Sequence, residues 1–362
     1  MNEPVRRARS RTTGQLLGVG TLTLSQQQTI AAAVDQWVTG IPDRIPGHVV
    51  FAENAAHAGY AKDLAVEGSV VLVVDGDADD PDIATVKGGF DEPGGELLVG
   101  GTLNLEIQDY VALPFVNLVG ATIVRITGRE DQQAFFDDAD EARRSGHFIG
   151  QLTEVNAVLS ERGLLARQGS LDRRLSRIHI TADGTILNGP YGTVIGWAGD
   201  PLHDLRIKAV PLKPESAVAS ISDAAEMRAQ LSDRPWIPRY LAALDAWKFI
   251  LRDHQADTRL VGFGLSLYGA TESHNHPLPG APFILERHGE YRLLDTKTGR
   301  LFKIGADAAT LIEAISNLRD VEAAATVTAT TLGVAPAAAE GSARSVVAQF
   351  DQLGIDLLGE LL

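Results

Sequence analysis

The chain of 362 residues contains no cysteine. It therefore cannot form disulfides, thiolate nucleophiles, zinc ribbons or cysteine-ligated iron–sulfur clusters. It also lacks the apolar run of about 18 residues that a membrane-spanning helix needs. The basic N-terminus is a poor secretory signal, because Gly, Thr and Gln interrupt the apolar residues that follow it. From these absences we expect a cytoplasmic protein with no membrane partner.

Basic residues are scarce, with 32 Lys and Arg against 47 Asp and Glu, and the formal net charge is −15. Such a surface repels phosphate backbones, so binding to nucleic acid would need a local basic patch. The dense basic run is at residues 6–11, within residues 1–14, which we predict to be a disordered basic tail. We therefore expect no nucleic-acid partner.

Known catalytic and metal-binding motifs are incomplete in this sequence. The acidic segment 75–86 begins like a calcium loop but lacks the central glycine and the final glutamate. Ser266 lacks the second glycine of a nucleophile elbow, because Tyr268 occupies that position, and we predict that Ser266 lies in a strand at 259–268. The paired glycines do not have the spacing of a phosphate-binding loop. We predict no catalytic residue and no cofactor.

One compact cluster has metal-ligand side chains. His274 and His276 would project to the same side of an extended chain, and Glu272 lies nearby. The cluster lies in a segment bounded by prolines, and no further ligand is evident beside it. These three residues are weak candidates, and the sequence predicts no metal site.

The pattern of apolar runs and turn residues predicts a multidomain protein of the α+β or α/β class, with a mixed α/β N-terminal region. The predicted divisions after the tail are an α/β domain at 15–145, a β-rich subdomain at 146–210, a helical segment plus a strand at 211–268, and a linker at 269–282.

Some local predictions in these regions are specific. Residues 25–38 predict a helix that Ser25 caps and Gly40 ends. Residues 129–144 predict a helix opened by acidic residues and closed by arginines. Residues 153–162 predict another helix, and Asp-Gly at 183–184 predicts a hairpin.

The C-terminal region has the most regular pattern. Residues 283–287, 291–294 and 301–304 predict three strands, with a turn at 295–299. Helices are predicted at 306–318 and 321–332, and a third helix is predicted to begin at Ser342. A small sheet of three strands followed by three helices is typical of a winged-helix domain, which we predict for residues 283–362.

This order of elements resembles the PqqD-like family of domains that recognise precursor peptides in the biosynthesis of ribosomal natural products. The residues that carry the resemblance are YRLLDTKTG at 291–299, FKIG at 302–305 and FDQLG at 350–354. The resemblance covers roughly the last 80 residues. It implies that a leader peptide adds as a strand beside the third strand and lies in the cleft against the third helix.

The resemblance and the chemistry of an edge strand together predict the peptide-binding residues. Charged groups at 300, 303 and 344 would receive acidic side chains of the leader, and apolar groups at 301, 347 and 350 would take apolar anchors. Core packing is the alternative for Val347 and Phe350. The predicted residues are Arg300, Leu301, Phe302, Lys303, Ile304, Arg344, Val347 and Phe350.

The layout of the whole chain is similar to the stand-alone recognition proteins of daptide biosynthetic clusters. That similarity implies a partner, a metal-dependent oxidative decarboxylase that acts on the C-terminal threonine of a precursor peptide. Our first hypothesis is a non-catalytic recognition and scaffold protein. The alternatives are a peptide-modifying enzyme with an N-terminal active site, or a winged-helix regulator, which the scarcity of basic residues in the third helix disfavours.

Overall fold

The computed structural model describes residues 23–166, 175–252, 257–269 and 277–358. The predicted tail at 1–14 lies outside these residues. The described chain has mixed α/β structure, with one large sheet and a second, antiparallel sheet accompanied by helices. None of its described helices is long and apolar enough to cross a membrane.

The strands of the first sheet are β1 (Val49–Ala52), β2 (Val70–Val74), β3 (Ile83–Lys87), β4 (Glu96–Val99), β5 (Leu103–Asp109), β6 (Thr122–Arg125), β7 (Ala157–Leu159), β8 (Arg177–Ile180), β9 (Thr185–Leu187) and β10 (Val194–Trp197). The strands of the second sheet are β11 (Arg259–Val261), β12 (Phe283–Arg287), β13 (Glu290–Asp295) and β14 (Arg300–Ile304).

The α-helices are α1 (Leu24–Thr39), α2 (Ala58–Leu64), α3 (Arg129–Ser145), α4 (Gly150–Thr153), α5 (Arg162–Leu165), α6 (Leu202–Ala209), α7 (Ala224–Asp233), α8 (Ile237–Arg252), α9 (Ala306–Leu318), α10 (Val321–Leu332) and α11 (Pro336–Gln352). Short 3₁₀ helices lie at Ala55–His57, Tyr110–Phe115 and Pro214–Val218.

The first sheet has the strand order β10-β9-β8-β1-β2-β3-β4-β5-β6-β7. The strands β8-β1-β2-β3 pair in parallel, as do β5-β6-β7, while β4 and β9 run antiparallel to their neighbours. The sheet continues across residue 145, where the sequence predicted the end of an α/β domain. It takes in strands of the predicted β-rich segment 146–210.

Helix α1 packs on one face of the first sheet, in a core that includes side chains of β1 to β6. At its C-terminal end, Val38 O accepts a hydrogen bond from Glu161 N at 3.0 Å. Trp37 O accepts another from Arg177 Nη1 at 2.7 Å. Glu161 follows β7 and Arg177 begins β8, and the two side chains form a buried ion pair. The sheet therefore curls around α1.

The start of α1 differs from the prediction. Thr23, and not Ser25, is the N-cap, because its side chain and that of Gln26 form a reciprocal capping box. The helix ends at Gly40, which adopts a left-handed conformation with φ of +68°, as predicted. The predicted helix at 129–144 is confirmed as α3.

The predicted helix at 153–162 is wrong. This segment forms the strand β7 and continues to the start of α5. Ala157 and Leu159 are buried in the core, and β7 pairs in parallel with β6. Strand pairing across the sheet thus decides the structure of a short segment whose local sequence favours a helix.

The second sheet shares a core with the first part of the chain. Phe283, Leu285 and Leu294 pack in the same cluster as α8 and the helix α3. Its strand order is β11-β12-β13-β14, with all neighbours antiparallel. The sheet therefore contains a strand, β11, beyond the three that the sequence predicted for the C-terminal domain, although β11 falls within the strand predicted at 259–268.

The part of the predicted linker 269–282 that the structure describes is held in place by Arg239. This side chain of α8 is fully buried and donates hydrogen bonds to backbone carbonyls of residues 262, 278 and 282, at 3.0–3.3 Å. Its guanidinium also lies 3.4 Å from the centre of the Phe283 ring. Residues 278–282 are thus fixed against α8.

The other face of the second sheet is covered by α9, α10 and α11. The predicted helices at 306–318 and 321–332 are confirmed as α9 and α10, and Gly333 ends α10. The predicted start of the third helix at Ser342 is wrong, because α11 begins at Pro336. Proline suits the first helical position, and the alanines after it favour a helix strongly enough to carry it through Gly341.

Candidate functional site

Strand β14 forms an outer edge of the second sheet and pairs with β13. The turn predicted at 295–299 lies before this strand, and Asp295 organises it. Asp295 O accepts a hydrogen bond from Gly299 N at 2.8 Å, and its carboxylate accepts from Lys297 N at 3.2 Å and from the Thr298 hydroxyl. Gly299 has a φ of +68°, which favours glycine. This turn fixes where β14 begins.

The C-terminal half of α11 lies close to β14. The rings of Phe302 and Phe350 meet edge to face, with centroids 6.1 Å apart. The Arg300 guanidinium donates a hydrogen bond to Leu353 O at 2.9 Å, just beyond the end of α11. Val347 is half-buried against the same core. We call the exposed side of β14 together with this part of α11 the β14 edge.

The register of β14 divides the predicted residues between the two faces of the sheet. Phe302 and Ile304 face the core formed with α9 to α11, and Leu301 packs against the core formed with α8. Because side chains alternate along a strand, Arg300 shares the first face and Lys303 the second. The predicted residues therefore do not form one continuous surface.

Each of the three predicted cations already has an acidic partner. Arg300 lies 3.5 Å from Asp295, and Lys303 lies 3.0 Å from Glu290. Arg344 pairs with Glu340 one turn earlier in α11, and its guanidinium lies 3.9 Å from Glu322 of α10. The Lys303 and Arg344 pairs are exposed and contribute only about 0–1 kcal/mol each, so an acidic ligand can compete for these two cations. The partner of Arg300 is buried, because the Asp295 side chain is 7% exposed.

The apolar residues differ in how much surface they offer. Phe350 is 6% exposed and belongs to the core, which is the alternative that the sequence left open for it. Leu301, Phe302, Ile304 and Val347 are half-buried. An added strand would therefore meet the half-buried residues first, and Phe350 would support the Phe302 ring from below.

Residues with metal-binding side chains do not gather among the described residues, where no group of three or more could hold an ion. The weak candidates Glu272, His274 and His276 lie outside the described residues. Ser266 is in an irregular segment and not in a strand as the sequence suggested. The neighbouring Leu267 N donates a hydrogen bond at 2.6 Å to the buried Glu313, whose pKa burial raises to about 7.

The sequence missed a histidine–carboxylate pair in the first sheet. His179 of β8 is buried, and its Nε2 lies 3.0 Å from Oε1 of Glu53, which follows β1. The other carboxylate oxygen accepts a hydrogen bond from Ala182 N at 2.8 Å. The imidazole is stacked on Phe51, with centroids 5.3 Å apart. The alternation in residues 177–181 indicated a strand, but nothing local indicated that Glu53 would be its neighbour.

A cavity of about 640 Å³ also lies in the N-terminal part, between the start of α1 and the strands β2 and β3. Its charged lining residues are Lys62, Asp82 and Lys87. Lys62 is already paired with Asp80 at 2.8 Å, outside the lining. Lys62 also lies 3.9 Å from Asp82 in the lining, and neither Glu53 nor His179 lines this cavity.

Comparisons with protein-family models, with curated proteins and with solved structures found no match to this chain.

Proposed function

We propose that this protein recognises a precursor peptide and that the leader of this peptide binds at the β14 edge by strand addition. The observation that carries the proposal is the position of β14 on the outside of an antiparallel sheet, with half-buried apolar residues beside it. An outer strand has unpaired backbone groups, and an extended peptide can satisfy them. The order of three strands and three helices at 283–352 supports a PqqD-like winged-helix domain, as the sequence resemblance implies.

The role of the remaining chain in this proposal is to bind a modifying enzyme. The outer strand β10 exposes Val194 and Trp197, and Ile207 of the adjacent α6 is exposed, as is Val210 directly after this helix. Exposed apolar residues that lie together are typical of protein interaction sites. By resemblance, the partner is an oxidative decarboxylase that depends on a metal, so the chemistry would belong to the partner and this chain would present the substrate.

Selection of random peptides displayed on phage, with the full chain as the bait, tests the recognition function. We expect selected peptides to compete with one another and to lose binding when alternate backbone amides are N-methylated, because strand addition needs those amides. Lys303→Pro, which alters the edge strand, should abolish binding. Selected peptides that bind equally well after N-methylation would contradict strand addition.

The Glu53–His179 pair favours a second candidate function, an enzyme that modifies peptides. A carboxylate that accepts a hydrogen bond from one imidazole nitrogen orients a histidine for acid–base chemistry, and the pair lies at the carboxyl ends of two parallel strands. The other nitrogen, Nδ1, is buried without a hydrogen-bond partner among the described residues, so a substrate would reach it only after a local opening. Incubation of the purified chain with a precursor peptide separates the two functions. A recognition protein leaves the mass of the peptide unaltered. A mass change that His179→Gln abolishes would instead establish the enzyme.

A further inference from the structure

A small cavity of about 200 Å³ lies beside the β12–β13 hairpin, on the side of the sheet that packs against α8. Leu285 pairs with Arg292 and Arg287 pairs with Glu290 across the hairpin. The side chains of these four residues therefore share one sheet face. The cavity is lined by Thr258, Leu285, Arg287, His288, Glu290 and Arg292.

The charges around this cavity are predominantly positive. Arg287 and Arg292 are exposed, and neither forms an ion pair with another residue in the described part of the chain. The carboxylate of Glu290 is matched by Lys303 at 3.0 Å. Arg292 is also attracted to this carboxylate, but the two arginines together leave an excess of positive charge on one wall, which attracts anions in a chain with a net charge of −15.

Thr258 provides a polar group at the base of the cavity. The residue is 8% exposed, and its Oγ1 is buried without a hydrogen-bond partner among the described residues. Arg259 pairs with Glu286, so the continued register of β11 places Thr258 opposite Arg287. Buried hydroxyl groups are normally hydrogen-bonded, so this orphan oxygen indicates that the cavity receives a polar ligand.

The turn between β12 and β13 fixes the positions of the cavity residues on these two strands relative to each other. His288 and Gly289 have φ values of +51° and +79°, so both central residues are left-handed, as a tight two-residue hairpin turn requires. Arg287 and Glu290 are thereby fixed as a cross-strand pair, and the His288 imidazole lies at the rim. The arginines are positioned before a ligand arrives, which lowers the entropic cost of binding.

We propose that this cavity binds an oxyanion, a carboxylate or phosphate group, held by Arg287, Arg292 and the Thr258 hydroxyl. Guanidinium groups bind such anions through paired charge-assisted hydrogen bonds. The volume of about 200 Å³ is below the roughly 300–1,000 Å³ of typical small-molecule pockets, so the ligand is a small anion or a single acidic group. The site lies on the opposite sheet face from Phe302 and Phe350, and it does not depend on the proposed peptide binding.

Titration calorimetry of the full chain at constant ionic strength tests the proposal, with inorganic phosphate, succinate and N-acetylglutamate amide as probes. We expect saturable binding of at least one probe, weakened roughly tenfold by Arg287→Ala and by Arg292→Ala. Arg259→Ala is the matched control, because Arg259 is an exposed arginine of the same sheet whose partner Glu286 lies outside the cavity. It should leave the affinity unchanged.

Thr258→Val gives a second test that keeps the shape of the cavity. We expect it to weaken the probe that binds, while the thermal unfolding midpoint without the probe stays the same or rises because a buried unpaired hydroxyl is removed. Phosphate binding alone would identify a free anion, and binding of the glutamate derivative would identify an acidic side chain. No saturable binding of any probe, or equal affinity in the arginine variants, would overturn the proposal.

Discussion

One ion pair on each of the two sheets shows how differently burial treats charged residues in this protein. Around the first sheet, Arg177 and Glu161 form an ion pair whose side chains are 6% and 2% exposed. On the second sheet, Lys303 and Glu290 form a pair whose side chains are 72% and 56% exposed. A buried pair holds the elements that carry it in one arrangement, whereas an exposed pair contributes little and can exchange partners. The Arg177–Glu161 pair thus fixes the elements of the first sheet that carry it, whereas the Lys303–Glu290 pair leaves its charges free to change partners.

The largest expected effect comes from breaking the buried pair. Glu161→Gln would leave the Arg177 guanidinium buried without a matching charge, at the point where β7, β8 and the end of α1 meet. We expect the free energy of unfolding to fall by about 3–5 kcal/mol, measured by urea denaturation. Glu340→Gln, which removes the exposed pair with Arg344, is the control and should cost less than about 1 kcal/mol. Equal losses of unfolding free energy in the two variants would show that burial does not make the Arg177–Glu161 pair more important for stability than the Arg344–Glu340 pair.

Glu313 of α9, a helix that packs on the second sheet, carries a carboxyl group that is buried, unlike the exposed Lys303–Glu290 pair of that sheet. Burial raises its pKa from 4.5 to about 7, so the folded state favours the protonated form. The folded protein then binds more protons than the unfolded chain between those values. The stabilisation is fully present below pH 4.5 and is lost as the pH rises towards about 7.

The free energy of unfolding should therefore fall by on the order of 3 kcal/mol across this interval. Glu313→Gln keeps the shape of the side chain but cannot ionise. We expect the difference in unfolding free energy between wild type and variant to change with pH over the same interval. A difference that stays constant would show that folding does not shift the pKa of Glu313.

The sequence correctly predicted elements that depend on residues a few positions apart. It did not predict contacts between residues that are far apart in the chain. The Asp295–Gly299 turn, α9 and the end of α1 follow from capping and turn residues within a few positions. By contrast, Glu53 and His179 are 126 residues apart, and nothing in either segment specifies the other. The sequence wrongly predicted a helix at strand β7, because this strand is stabilised by pairing with β6 and its local sequence does not indicate that pairing. The start of α11 was wrong for a local reason, since Pro336 and Ser342 are competing start signals.

A smaller effect is expected from the cations of the β14 edge. Combined reversal of charge at Arg300, Lys303 and Arg344 should weaken a bound acidic peptide by more than about 1 kcal/mol, through loss of charge-assisted contacts. Fluorescence polarisation with a labelled peptide from the display selection measures the affinity. Reversal of Arg259, which lies on the opposite edge strand β11, should have no effect. Unchanged affinity in the triple variant would show that these cations do not contact the peptide. Strand addition through the backbone would then be judged by the N-methylated peptides alone.

The smallest effect separates Arg344 from the other two cations. Arg344 pairs with Glu340 within α11 and extends towards Glu322 of α10, so its present contacts do not involve β14. We expect Arg344→Glu alone to change peptide affinity by less than about 0.5 kcal/mol, and to lower the free energy of unfolding by a similar amount because like charges then meet on the helix. Lys303→Glu alone should account for a larger share of the triple variant's effect. If Arg344→Glu weakens the peptide as much as Lys303→Glu does, the leader reaches along α11 as far as the contact with α10.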